Sequence, residues 1–178
     1  PILSMRLIAE EKNKGTFELL VSSPIGDWSI LLGKYFALVT VGLVMTLLSS
    51  IYPLLTEWVA PDPSGLEWPV IMTCGIGLLL MFAAFAAFGV MASAFTAHQM
   101  TAAIVTMIGL ILWQIGGELV TVDIPWLREV ARDLSAFNHT ENFINGVLSF
   151  RDLAYFFLMS FLFLFIASKT LDARRWRI

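Results

Sequence analysis

Few residues in this 178-residue chain are placed to do chemistry. Glu118 follows Gly116-Gly117 at the end of an apolar run. A carboxylate at the bilayer centre costs about 2.5 to 3.5 kcal/mol and would mark an ion or proton path. Glu118 comes roughly 18 residues after the polar turn Thr96 to Gln99, however, which sets it at the far interface, in water. His98 stands in that turn with no Cys, Asp or Glu at ligand spacing, a poor metal site. Cys74, the single cysteine, lies inside an apolar run and reads as a small packing residue. Neither a disulfide framework nor a cysteine metal site is available. Asn138-His139-Thr140 has the pattern of an N-glycosylation acceptor, a triplet frequent by chance. Gly33-Lys34 is followed by Tyr35 and has no glycine five positions before it, so it is no phosphate-binding loop. Metalloprotease and serine-hydrolase motifs are absent, as is a pair of intramembrane carboxylates. No catalytic residue, metal or cofactor is expected in this chain, and nucleotide hydrolysis must lie elsewhere.

Recognition chemistry is concentrated in Arg6 to Lys34, the one long polar segment. Arg6, Glu10 and Lys14 succeed one another at i,i+4, with Glu11 and Lys12 beside them, favouring a water-exposed helix by a few tenths of a kcal/mol per pair. Gly15 interrupts it. Thr16 can cap a second short helix, and Glu18 sits in its first turn, where the dipole favours an anion. Phe17, Leu20 and Val21 share one face, and Ser23-Pro24 ends the helix. An amphipathic helix that merely lay among headgroups would carry bases on its polar face. Thr16 to Ser23 has one Glu and no base, so its apolar knob and acidic edge suit a protein partner instead.

The surrounding elements are built for lipid. Hydrophobic residues make up 58% of the chain and mean hydropathy is +0.80, against roughly 45 to 50% apolar residues in soluble domains. The expected fold is an all-α integral membrane protein. A net charge of −3 with no basic stripe argues against a nucleic-acid partner. Spans are predicted at 36–56, 70–95, 100–117 and 153–169, each near the length needed to cross roughly 30 Å of hydrocarbon. Residues 1–5 look like the end of another apolar segment, making four complete spans plus the end of a fifth. Between spans two and three stands only Thr96 to Gln99. Residues 118–150 form a longer loop in which two short interfacial helices fit: one opened by Pro125 and wet along Arg128, Glu129, Arg132 and Asp133, the other carrying Phe137, Phe143, Ile144 and Val147 around Asn138, His139 and Asn145. The short last span is bounded by Arg151-Asp152 and Lys169, whose long bases snorkel to the headgroups. In the second span Ala83 with Ala87, and Gly89 with Ser93, lie four apart and let another helix approach closely, within the subunit or across a dimer.

Charge sets the orientation. Arg6, Lys12, Lys14, Lys34, Lys169, Arg174, Arg175 and Arg177 fall on one side of the four-span arrangement; Arg128, Arg132 and Arg151 fall on the other. The positive-inside rule then puts residues 6–34 and the C-terminus in the cytoplasm, in a multi-pass protein of the cell's inner (plasma) membrane. The partner of Phe17, Glu18, Leu20 and Val21 should be cytosolic.

Met5-Arg6, Ala9-Glu10-Glu11-Lys12, Gly15-Thr16, Glu18-Leu19-Leu20, Ser23-Pro24 and Gly33-Lys34 together resemble the segment between the second and third spans of ABC-2 type permeases. The chain is most similar to the gliding-motility-associated and copper-processing subgroup, which Phe143, Gly146, Arg151-Asp152-Leu153 and Arg174-Arg175-Trp176 also resemble. The resemblance covers essentially the whole chain, specific in the polar segment and loose in the spans. It implies six spans per subunit, two permease subunits as a homo- or heterodimer, and separate cytosolic ABC ATPase subunits that bind ATP and Mg. By that standard the first span and most of the second are missing here. The resemblance assigns 15–24 the role of coupling helix, with Thr16, Phe17, Glu18, Leu20 and Val21 against the ATPase and Arg6, Glu10, Glu11 and Lys12 supporting them.

The implied function is the permease subunit of an exporter. A non-transporting scaffold or assembly subunit of an ATPase-linked machine fits the few, scattered polar residues of the spans: Thr46, Ser49, Thr73, Thr106 and Gln114. A secondary transporter would need broken helices or midplane charges, which only Gly116-Gly117-Glu118 approaches.

Overall fold

The computed structural model describes residues 2–5, 26–59, 67–96, 98–119 and 125–175. These residues form eight helices and, among the described residues, no strand. They are α1 (Ile2–Met5), α2 (Asp27–Ser49), α3 (Ile51–Val59), α4 (Trp68–Phe95), α5 (Gln99–Leu119), α6 (Pro125–Leu134), α7 (Ala136–Ile144) and α8 (Phe150–Arg175). Four stretches are long and apolar enough to cross a membrane: Trp28–Val59, Trp68–Phe95, Gln99–Gly116 and Phe150–Asp172. The predicted all-α membrane architecture is therefore the observed one.

The first span differs from its predicted limits. Its helix already begins at Asp27, after Gly26, and breaks at Ser50. Pro53, in the first turn of α3, lacks the N–H that a continuous helix would donate to Ser49. The outer surface of this arm is left to lipid: Leu43, Val44, Met45, Leu47 and Leu48 are exposed, and α3 buries no residue.

Helix α4 is the axis of the bundle, packing on α8, α2, α5, α7 and α1. An all-apolar helix rich in small residues can take neighbours on every side. Ala84, Ala86, Ala87, Gly89, Ala92 and Ser93 are all buried, whereas Ala83 is half-buried. On one flank Ala87, Val90 and Ala94 join Leu31 of α2 and Leu164 and Ala167 of α8. Gly89 receives Ser4 of α1 and Thr106 of α5. On the other flank Ala84 meets Ala136, Phe143 and Phe156. Gly77 is required there because a Cβ would lie 2.5 Å from the Cβ of Phe143.

Polar groups within the spans are mostly satisfied by their own helix. The hydroxyls of Thr46, Ser49, Thr73 and Thr106 donate to carbonyls three or four residues back. A lipid-facing hydroxyl has no water to turn to, and the preceding turn supplies the acceptor.

Candidate functional site

The residues expected to contact a partner, Thr16, Phe17, Glu18, Leu20 and Val21, and their supports Arg6, Glu10, Glu11 and Lys12, lie outside the described residues. His98 is exposed in its turn. Among the described residues no group of three His, Cys, Asp or Glu side chains is placed to hold a metal. Cys74 is half-buried, its thiol 3.4 Å from the Phe143 carbonyl.

The most elaborate polar arrangement lies where α6 and α7 meet the ends of α5 and α8. Its origin is the C-terminus of α6. A helix ends with carbonyls that have no intrahelical partner, and in an apolar setting each must be satisfied. Only Ser135 separates α6 from α7, so the carbonyls that end α6 face the start of α7. Side chains from three other helices bond to them. Asn138 of α7 donates its amide to Arg132 O at 2.8 Å. His139 of α7 places Nε2 3.0 Å from Asp133 O. Trp113 Nε1 of α5 and the Tyr155 hydroxyl of α8 both donate to Leu134 O, at 2.9 and 2.6 Å. Ser135 Oγ reciprocates by donating to Gln114 O of α5 at 2.9 Å.

Beneath this cap sits a buried acid–base pair. His139 Nδ1 is 2.6 Å from Oδ1 of Asp152, a residue only 2% exposed. Asn142 donates to the other carboxylate oxygen at 2.8 Å. Helical spacing brings both partners onto shared faces: Asn142 follows His139 by three on α7, and Tyr155 follows Asp152 by three on α8. The Tyr155 ring stacks on the imidazole at 3.8 Å, and its edge continues into Trp113, Phe163 and Phe88. Above, Arg151 pairs with the Asp133 carboxylate at 2.9 Å in a solvent-exposed bridge.

In the sequence Asp152 stands at the end of a span and His139 is one polar residue among apolar neighbours. What joins them is a contact across thirteen residues. The available signal was the pairing of His139 with Asn142 and of Asp152 with Tyr155 at i,i+3, each on an otherwise apolar face. The glycosylation pattern at Asn138 loses its basis: the Asn138 amide is committed to Arg132 O, and Thr140 is buried and bonded to Ala136 O.

The corner depends on how α7 stops. Gly146 has φ +76°, its N–H donates to Phe143 O at 3.1 Å and that of Val147 to Asn142 O at 2.9 Å, a Schellman ending. Gly146→Ala forces an L-residue into the left-handed region, costing about 1 to 2 kcal/mol. It also brings a Cβ to 2.8 Å from the Val70 side chain. A lowered midpoint of thermal unfolding in detergent, with helical content unchanged at low temperature, is the expected result.

Bundle and corner define the class: a multi-pass α-helical membrane protein whose last two spans are joined through two short helices locked to both. The chain matches the ABC-2 family transporter protein family over residues 1–168 and belongs to that family. It is accordingly a transmembrane permease component of an ATP-binding cassette transporter, a class that works with ATPase subunits. No curated protein and no solved structure matches it.

Proposed function

We propose that the chain is the permease subunit of an exporter, coupled through the helix at Thr16 to Val21 to cytosolic ATPase subunits that supply ATP and Mg, and paired with a second permease subunit. The family match over residues 1–168 carries this reading. The polar segment adds motifs that resemble those of the gliding-motility-associated and copper-processing subgroup. The excess of Lys and Arg flanking residues 6–34 and the C-terminus supports a cytoplasmic location for both, with α6 and α7 on the opposite side. ATP-driven closure of the partner would pull the coupling helix and bias the bundle between two states by differential contacts.

Apolar cargo suits the interior. A cavity of about 470 Å³ is lined by Leu38, Phe82, Phe85, Ala86 and Leu110, with Ser4 the polar exception. That same scarcity of polar lining favours the second reading, a scaffold subunit that uses ATPase contact to assemble or regulate other membrane proteins. Cargo-dependent stimulation of ATP hydrolysis in the purified complex separates the two.

Purification of the complete permease in mild detergent, with its companions identified by mass spectrometry, tests the main reading. A stoichiometric soluble ATP-binding protein is expected, and Phe17→Asp should abolish its retention by placing a charge in the apolar contact. Glu18→Lys should weaken assembly and transport together. Retention and transport unchanged in both variants would sink the coupling assignment.

A further inference from the structure

Helix α8 carries an apolar stripe that α6 overhangs without covering. Tyr155, Leu158, Met159 and Leu162 follow one another at i, i+3, i+4 and i+7, so they line a single face. Val130 and Leu134, one turn apart on α6, form the opposite wall. Between the two helices lies a groove of about 540 Å³ whose one charged lining residue is Asp133. Its apolar walls are open, for Val130, Leu134, Leu158 and Leu162 are all exposed. In a bilayer such a groove suits a hydrocarbon chain. From Tyr155 to Leu162 the helix rises about 10 Å, a third of the roughly 30 Å of hydrocarbon. That depth takes the upper part of one acyl chain.

The mouth of the groove carries matched charges. Arg151 precedes Tyr155 by four residues and stands at the start of the span Phe150–Asp172, which puts it at headgroup level. It bridges Asp133 at 2.9 Å, yet the two side chains stay 69% and 66% exposed. An ion pair this open gains little from its own closure and exchanges readily for other charges. A guanidinium offers paired N–H donors to a phosphate, and a carboxylate accepts from a primary ammonium. The phosphate and ammonium of a phosphatidylethanolamine headgroup therefore oppose this pair charge for charge. A choline headgroup has the same charges but no N–H to give Asp133, and a glycerol headgroup sets a net anion against that carboxylate. Glu129 and Arg132, exposed on α6, add one charge of each sign and do not tip the balance.

We propose that the groove between α6 and α8 binds one phosphatidylethanolamine, its acyl chain along Tyr155 to Leu162, its phosphate on Arg151 and its ammonium on Asp133. The site needs only a membrane-embedded α8 and does not depend on the exporter reading.

Native mass spectrometry of the complete permease, purified in mild detergent and offered equal amounts of phosphatidylethanolamine, phosphatidylcholine and phosphatidylglycerol with identical acyl chains, provides the test. One phosphatidylethanolamine per subunit should resist delipidation, enriched about tenfold over either competitor, the effect of one charge-assisted hydrogen bond. Equal retention of the three would mean ordinary surrounding lipid only and would overturn the site, as would a preference for the anionic lipid. No retained lipid at all, the result if a protein segment fills the groove, would equally overturn it. Asp133→Asn leaves Arg151 to act alone and should erase the advantage over phosphatidylglycerol. Leu158→Trp fills the groove and should reduce retention of phosphatidylethanolamine to the level of its competitors. Both side chains are exposed, so each variant keeps the packing of the bundle. Retention unchanged in either variant would place the lipid elsewhere and refute the assignment.

Discussion

Asp152→Ala should destabilise the complete subunit by about 3 to 5 kcal/mol, the cost of removing one member of a buried acid–base pair. Asp152 is 2% exposed and is bonded to His139 and Asn142, so its removal strands the buried imidazole, while the exposed Asn142 can turn to water. His139→Ala should cost a similar amount, because it leaves Asp152 and Asp133 O without their partner. The two losses should not add, since each variant already forfeits the shared bond. Replacing both by Leu should recover much of the loss, as apolar substitutes for buried ion pairs often do. Unfolding free energies in bicelles would measure all four chains. A single-variant loss below about 0.5 kcal/mol, typical of surface changes, would show that water reaches the pair freely.

Phe143→Ala should cost about 3 to 5 kcal/mol, the range for emptying a buried Phe site. Phe143 is 1% exposed, seated over Gly77 of α4 and beside Phe156 of α8. In lipid the loss is one of packing contacts more than of hydrophobic transfer, because the chain's surroundings are as apolar as the site. The reverse change, Gly77→Val, should fail for the opposite reason: its first added carbon already collides with Phe143. Combining Gly77→Ala with Phe143→Ala should cost less than the two changes separately, since truncation removes the Cγ and Cδ2 atoms that the added methyl would meet and leaves only the Cβ to shift. Strict additivity in the same unfolding measurement would show that the two positions do not share one contact.

Both predictions rest on α7, the element least regular in sequence, while the regular elements were plain to read. Four charge-poor apolar stretches must become helices in a bilayer because each backbone polar group has to be satisfied within its own segment. That requirement is local, so the spans and the all-α class followed from order and composition. The Gly and Ala content of 70–95 likewise announced close packing. It could not say which neighbours would be packed: Gly77 against Phe143 and Gly89 against Ser4 are matters of assembly.

Sequence alone also determined the polar character of residues 6–34 and the lack of a nucleotide-binding loop, for these depend on residue type and near-neighbour spacing. Only the tertiary structure decided that His139 meets Asp152, that Trp113, Asn138, His139 and Tyr155 close the end of α6, and that Arg151 holds Asp133. The physical reason is range. A helix is specified by bonds four residues apart, whereas this corner joins four helices whose contributing residues run from 113 to 155, and no periodicity records which polar group will face which.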